Sequence, residues 1–121
     1  MIDLAQIRAF ELPKIEKEMV IFGKKQTVSI SPMKNTTEIK FRFLDENDPE
    51  DKISAIVYIV SDALGISEED ALKICEIDLT AANEIAVACN SLTKEFHAKQ
   101  KEEREQAEKN SSQAAESTPE K

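Results

Sequence analysis

The chain contains only two glycines, Gly23 and Gly65, and each stands where the backbone must change direction. Gly23-Lys24 falls between residues 15–22 and 25–31, two runs that mix β-branched and apolar residues with polar ones. A Gly-X pair in that position is what a two-residue type II′ hairpin needs, because glycine enters the first turn position without a Cβ clash. That turn sets Met19 opposite Val28 and Ile21 opposite Gln26, with Ile30 on the same side. Glu18, Thr27 and Ser29 take the other face with Val20. A hairpin with one apolar face has to pack on something. Pro32 ends it.

The chain beyond Pro32 reads as helices. Residues 33–45 are ambiguous, because Ile39, Phe41 and Phe43 alternate like a third strand. Asn35 followed by Glu38 offers a helix start, however, and Ile39 with Phe43 is an i, i+4 pair, so a helix is expected. Asp48-Pro49 is an N-cap with proline at the first helical position. Ile53, Ile56, Val57, Val60 and Leu64 then mark an inner face, and Gly65 closes that helix. Ser67 opens the next helix with Glu68, Glu69 and Asp70 in its first turn, and Leu72, Cys75 and Leu79 give its inner side. Asp78 or Thr80 starts the last helix, with Ile85, Ala88, Cys89, Leu92 and Phe96 as its stripe. The expected fold is therefore α+β, mainly α, with an N-terminal antiparallel hairpin and three to four amphipathic helices.

The ends carry less. In residues 1–12, Ile2, Leu4, Ile7 and Phe10 stand loosely at helical spacing until Pro13. That arm either packs on the domain or docks on a neighbour. Residues 1–96 make a single domain. Beyond Phe96 the apolar stripe vanishes, so residues 97–109 are expected to extend the helix into solvent. Pairs such as Glu105–Lys109 add only ~0.2–0.5 kcal/mol each, and the extension should fray. Residues 110–121, rich in Ser, Ala and Glu, have no means of burying themselves and are expected to be disordered.

Chemistry is hard to find. The net charge of −8 argues against a nucleic-acid backbone as partner. Residues 45–78 hold eleven acids and two lysines, a net −9, while residues 1–44 hold eight bases and five acids, a net +3. Such a dipolar chain suits head-to-tail stacking or a basic partner. Cys75 and Cys89, fourteen apart with no flanking ligand, fit no zinc template and read as free buried thiols. His97, the only histidine, reads as a surface residue. The acidic run from Asp45 lacks the glycine and the terminal glutamate of an EF-hand, with Glu50 and Ile56 in those places. No enzyme, cofactor or metal is expected. No apolar run approaches eighteen residues, and Met1-Ile2-Asp3-Leu4 lacks the pattern of a signal peptide. A chain that meets no membrane and works in a cytoplasm is expected.

The order of elements resembles the tail assembly chaperones of long-tailed bacteriophages. The likeness is carried by the hairpin of residues 17–30, its sequel Ser31-Pro32-Met33, and the helix over 53–64. It continues through Gly65-Ile66-Ser67-Glu68-Glu69-Asp70 to Ile77-Asp78-Leu79-Thr80, and spans about residues 12–100. The resemblance also favours a helix over 33–45. It implies a protein that binds the long apolar tape measure protein in the host cytoplasm. Several copies would coat that protein until the major tail tube protein polymerises around it, and the chaperone would be absent from the mature virion. It further implies self-association, and a longer product made by ribosomal slippage, for which Glu108-Lys109-Asn110 encoded GAA-AAA-AAC would supply a slippery heptanucleotide. The residues expected to meet partners are Met19, Ile21, Val28, Ile30, Phe41, Val60, Leu92 and Phe96, with apolar residues exposed between helices 50–64 and 79–96. The same residues read as core first and as contact surface second. Two other functions fit the composition: an acidic regulator that imitates DNA phosphates, and a small head–tail connector subunit.

Overall fold

The computed structural model describes residues 3–116. Its order is α1 (Leu4–Ala9), β1 (Ile15–Ile21), β2 (Lys24–Ile30), α2 (Asn35–Phe41), α3 (Pro49–Leu64), α4 (Glu68–Ile77) and α5 (Leu79–Glu116). The fold is mainly helical, with an antiparallel two-stranded hairpin followed by four helices.

The hairpin keeps the expected faces but not the expected register. Met19 pairs with Gln26, Lys17 with Val28 and Ile21 with Lys24, so the turn residues are Phe22-Gly23 rather than Gly23-Lys24. Both have positive φ, 54° and 76°, which is the signature of a type I′ turn. Moving the turn back by one residue shifts every pairing by two. Because strand side chains alternate with period two, the face assignment survives. The cause lies outside the hairpin. The Phe22 N–H donates to Asp78 Oδ2 at 3.0 Å, while Asp78 Oδ1 accepts from the Ala81 N–H at 3.1 Å as the cap of α5. One carboxylate thus fastens the hairpin tip to the start of the last helix, offsetting the ~1–2 kcal/mol that a left-handed conformation costs a residue with a Cβ.

The apolar hairpin face packs on α3 and α5. Met19, Ile21, Ile30, Met33, Val57, Ile59, Val60, Ala63, Ala71, Cys75, Ala81, Ala82, Ile85, Ala86 and Cys89 form one buried cluster. The connection after β2 is stitched in on both sides. The Ser31 N–H donates to the Ala63 carbonyl, the Lys34 N–H to Asp62 Oδ2, and the Met33 N–H to Thr93 Oγ1 at 2.8 Å. Thr93 Oγ1 in turn donates to the Cys89 carbonyl, and the Cys89 thiol donates to the Ser31 carbonyl at 3.2 Å. Each of these backbone groups therefore has a partner supplied by a helix, which removes a penalty of ~1–3 kcal/mol for each one that is buried.

Residues 35–41 are helical as expected, but the inward pair differs. Thr37 is buried and Phe41 half-buried, whereas Ile39 is exposed and Phe43 is 83% exposed. Lys34, not Asn35, occupies the cap, with no side-chain bond. The caps of α3 and α4 match expectation: Asp48 accepts from the Glu50 N–H, Ser67 from the Asp70 N–H, and Gly65 takes the left-handed terminal position at φ 67°. Helix α5 continues to Glu116, past Asn110, where disorder was expected to begin. Residues 117–121 of the expected tail lie outside the described residues.

Replacing Thr93 by Val keeps the shape and leaves the buried Met33 N–H unpaired. Urea denaturation should show a loss of about 1–3 kcal/mol, with Thr93→Ser losing less. Asp78→Ala, which removes both the cap and the hairpin-tip bond, should lower stability by about 1–2 kcal/mol in the same assay.

Candidate interaction surfaces

Five of the eight residues expected to meet partners are core. Met19, Ile21, Ile30, Val60 and Leu92 are each no more than 7% exposed. Val28 and Phe41 are half-buried against the same cluster. Alternation on a strand and periodicity on a helix find the apolar face, and here α3 and α5 already cover the hairpin's. Phe41 stacks on Tyr58 at 6.4 Å with Lys40 Nζ above that ring, so it braces α2 on α3.

Leu92 and Phe96 do converge on a surface feature. With Phe10 and Pro13 of the arm they wall an open groove of about 390 Å³ along α5, whose rim carries Glu11, Glu95, Lys99, Gln100 and Glu103. Pro13 directs the chain out of the hairpin and places Phe10 over α5, making one wall from a segment that folds nowhere else on the body. The sequence signal for this partner of Leu92 and Phe96 was the apolar spacing of the arm, which left its destination open.

A second groove is lined by residues that periodicity assigned to the core. Ile53, Leu72 and Leu79 are 49%, 39% and 53% exposed. They come together with Ile56 and Cys75 around a cleft of about 160 Å³ between α3, α4 and the start of α5, with Glu76 in its wall. Their helices bury neighbouring positions instead: Ile59 and Ala63 on α3, and Ala71 on α4. The stripe on α3 is broad enough to serve the core and still spill onto the surface, and none of the described residues covers the excess.

Several polar groups among the described residues hold the structure together. Asp45 and Asp51, in the acidic run, accept backbone N–H bonds from Asn47 and Asp45, closing their own loop. His97 lies 3.5 Å from Glu38, joining α5 to α2 at the surface. Both cysteines are unbridged and buried. Burial pushes the Cys89 thiol up to about 11, against a lowering hydrogen bond from Thr93 and with a small push from Asp62. Burial likewise raises Cys75. Among the described residues, no group of three or more His, Cys, Asp or Glu side chains is placed to hold a metal ion, and no helix is long and apolar enough to cross a membrane. No family model, curated protein or solved structure matches the chain.

Thiol titration tests the Cys89 environment. At pH 8 the folded protein should react with a disulfide reagent far more slowly than the urea-unfolded chain, in which both thiols react at once. The raised value fixes the sign of the pH effect. The stability that burial of this thiol contributes is whole below its ordinary value of 9.0 and is lost as the pH rises toward 11. The fall in denaturation midpoint over that interval should be shallower in Cys89→Ala.

Proposed function

We propose that this chain is a tail assembly chaperone of a long-tailed bacteriophage. It transiently covers the apolar helices of a tape measure protein and releases them as the major tail tube protein polymerises. The observation that carries this reading is the groove between the arm and α5, apolar at its floor and charged at its rim. A helix laid along α5 would place an i, i+3, i+4 row of apolar side chains between Phe10 and Phe96. The order of elements supports the same reading, since a hairpin, a helix, an acid-capped helix and the Asp78-Leu79-Thr80 entry to a last helix are the succession that the sequence resemblance rests on.

Physical chemistry suits the task. A long apolar helical chain in water aggregates unless its stripe is covered, and a cover with net charge −8 keeps the complex dispersed. Release requires that each contact be modest. A shallow groove with Lys99 among glutamates on its rim gives weak contacts, and many copies along one partner supply the total. Chemistry is no part of this function: each step is association or dissociation. The chaperone would work in the host cytoplasm and leave before the particle matures.

Co-expression with a long helical tape measure protein should raise that partner's soluble yield several-fold. Phe10→Asp and Phe96→Asp, both at incompletely buried positions, should return the yield to background while the helical circular dichroism persists. An unchanged yield with the native chain would overturn the reading. Finding the protein in purified infectious particles would favour a connector subunit instead.

A further inference from the structure

Strand β1 is an edge on its outer side, with no further strand beside it among the described residues. The pair Ile21 and Lys24 closes the two-residue turn, and from such a pair an antiparallel ladder alternates bonded and non-bonded positions. Ile21, Met19, Lys17 and Ile15 therefore exchange their bonds with β2. The N–H and C=O groups of Glu16, Glu18 and Val20 point the other way, and no described backbone group pairs with them. Exposed edges are ordinarily broken by a proline, a bulge or a covering segment. The seven residues of β1 run in uninterrupted register and include no proline.

A groove accompanies that edge. Thr80, Asn83, Glu84, Val87 and Ala88 of α5 face Lys17 of β1 around a space of about 400 Å³. Their spacing of i, i+3, i+4, i+7 and i+8 is one stripe of the helix. The neighbouring stripe of Ala81, Ala82, Ile85, Ala86 and Cys89 is buried in the core, whereas Val87 is 65% exposed. The hairpin tip is held at Asp78 and its far end, through Met33, at Thr93, so strand and helix run side by side. A free strand edge flanking a groove with a helix for its other wall is an arrangement that takes an extended peptide by strand addition.

We propose that β1 binds an extended segment of another protein, added as a third strand in the groove beside α5. The free groups recur at every second residue, a spacing that an extended backbone matches and a helix does not. Side chains of the added strand alternate between two surroundings. One set lies over Val87 and Ala88 and is aliphatic. The other lies beside Glu16, Glu18 and Val20 on the outer face. Glu18 is 2.9 Å from Lys25, while Glu16 has no cation within ion-pair distance among the described residues, so a basic residue belongs beside Glu16. Within the groove, Lys17 and Glu84 offset each other. A second copy is the wrong occupant, because β1 laid on β1 sets one glutamate row against another. This groove shares no residue with the one walled by Phe10 and Phe96, which receives a helix in the function proposed above.

The probe is a dye-labelled peptide with blocked ends, as long as β1 at seven residues. It alternates valine with threonine and carries one lysine in place of a threonine. Fluorescence anisotropy with the full chain should show saturable binding. Edge pairing uses alternate N–H groups, so methylating one alternate set of the peptide's amide nitrogens should weaken binding by about tenfold or more, and methylating the other set should not. Glu18→Pro removes an outward N–H and no bond of the hairpin, and should likewise cost about tenfold. Val87→Gln, at an exposed position, should cost about threefold. Absence of saturable binding, equal losses from the two methylated peptides, or native binding by either folded variant would overturn the proposal. If circular dichroism shows Glu18→Pro unfolded, the methylated peptides decide on the native chain.

Discussion

The fold depends on how the chain leaves its hairpin. A two-stranded ribbon is marginal in water and needs a surface to lie on. Here the surface is supplied by α3 and α5, but the ribbon is fixed to them through the backbone of residues 31–34 rather than by apolar contact alone. Ser31, Met33 and Lys34 donate to Ala63, Thr93 and Asp62, and Ser31 accepts from Cys89. Apolar burial is non-directional and would tolerate several placements of the ribbon. Hydrogen bonds are directional, and a buried one such as Met33 N–H to Thr93 would be stranded by any other placement. The same bonds carry the chain into α2 and set where Phe41 meets Tyr58.

That arrangement encloses only some of the apolar residues. Those facing the inner side of the hairpin are enclosed. Those on the far side of α3 and α4 have only each other, and they remain open to water around the cleft with Leu79. The arm shows the same excess: one of its apolar residues reaches α5, while Leu4 and Ile7 reach no other element. Aliphatic groups thus stay exposed at separate places on a small chain of net charge −8.

Much of this was legible in residue order, and what was not has identifiable causes. Strand faces, the caps at Asp48 and Ser67 and the left-handed Gly65 follow from local chemistry within a few residues, and the structure has them as expected. The hairpin register does not, because the choice between Phe22-Gly23 and Gly23-Lys24 is made by Asp78, far along the chain. Residues 39–43 alternate, yet Ile39 to Phe41 form the end of a helix, since Thr37 and Phe41 supply the inward pair. The interaction surfaces were the least legible. Periodicity marks Ile53, Leu72 and Leu79 as apolar in the same way as Val60 or Ile85. Only the packing reveals which of them run out of cover.

The length of α5 has a consequence of its own. From Leu79 to Glu116 its 38 residues extend about 57 Å at the ordinary rise of 1.5 Å per residue. Roughly half of that lies beyond Phe96, where no further residue is buried up to Asn110. A compact body carrying a thin spar tumbles and migrates as though it were heavier than it is. A single copy would leave a sizing column early, in the position of a larger globule, so the number of protomers has to be read from mass itself and not from retention.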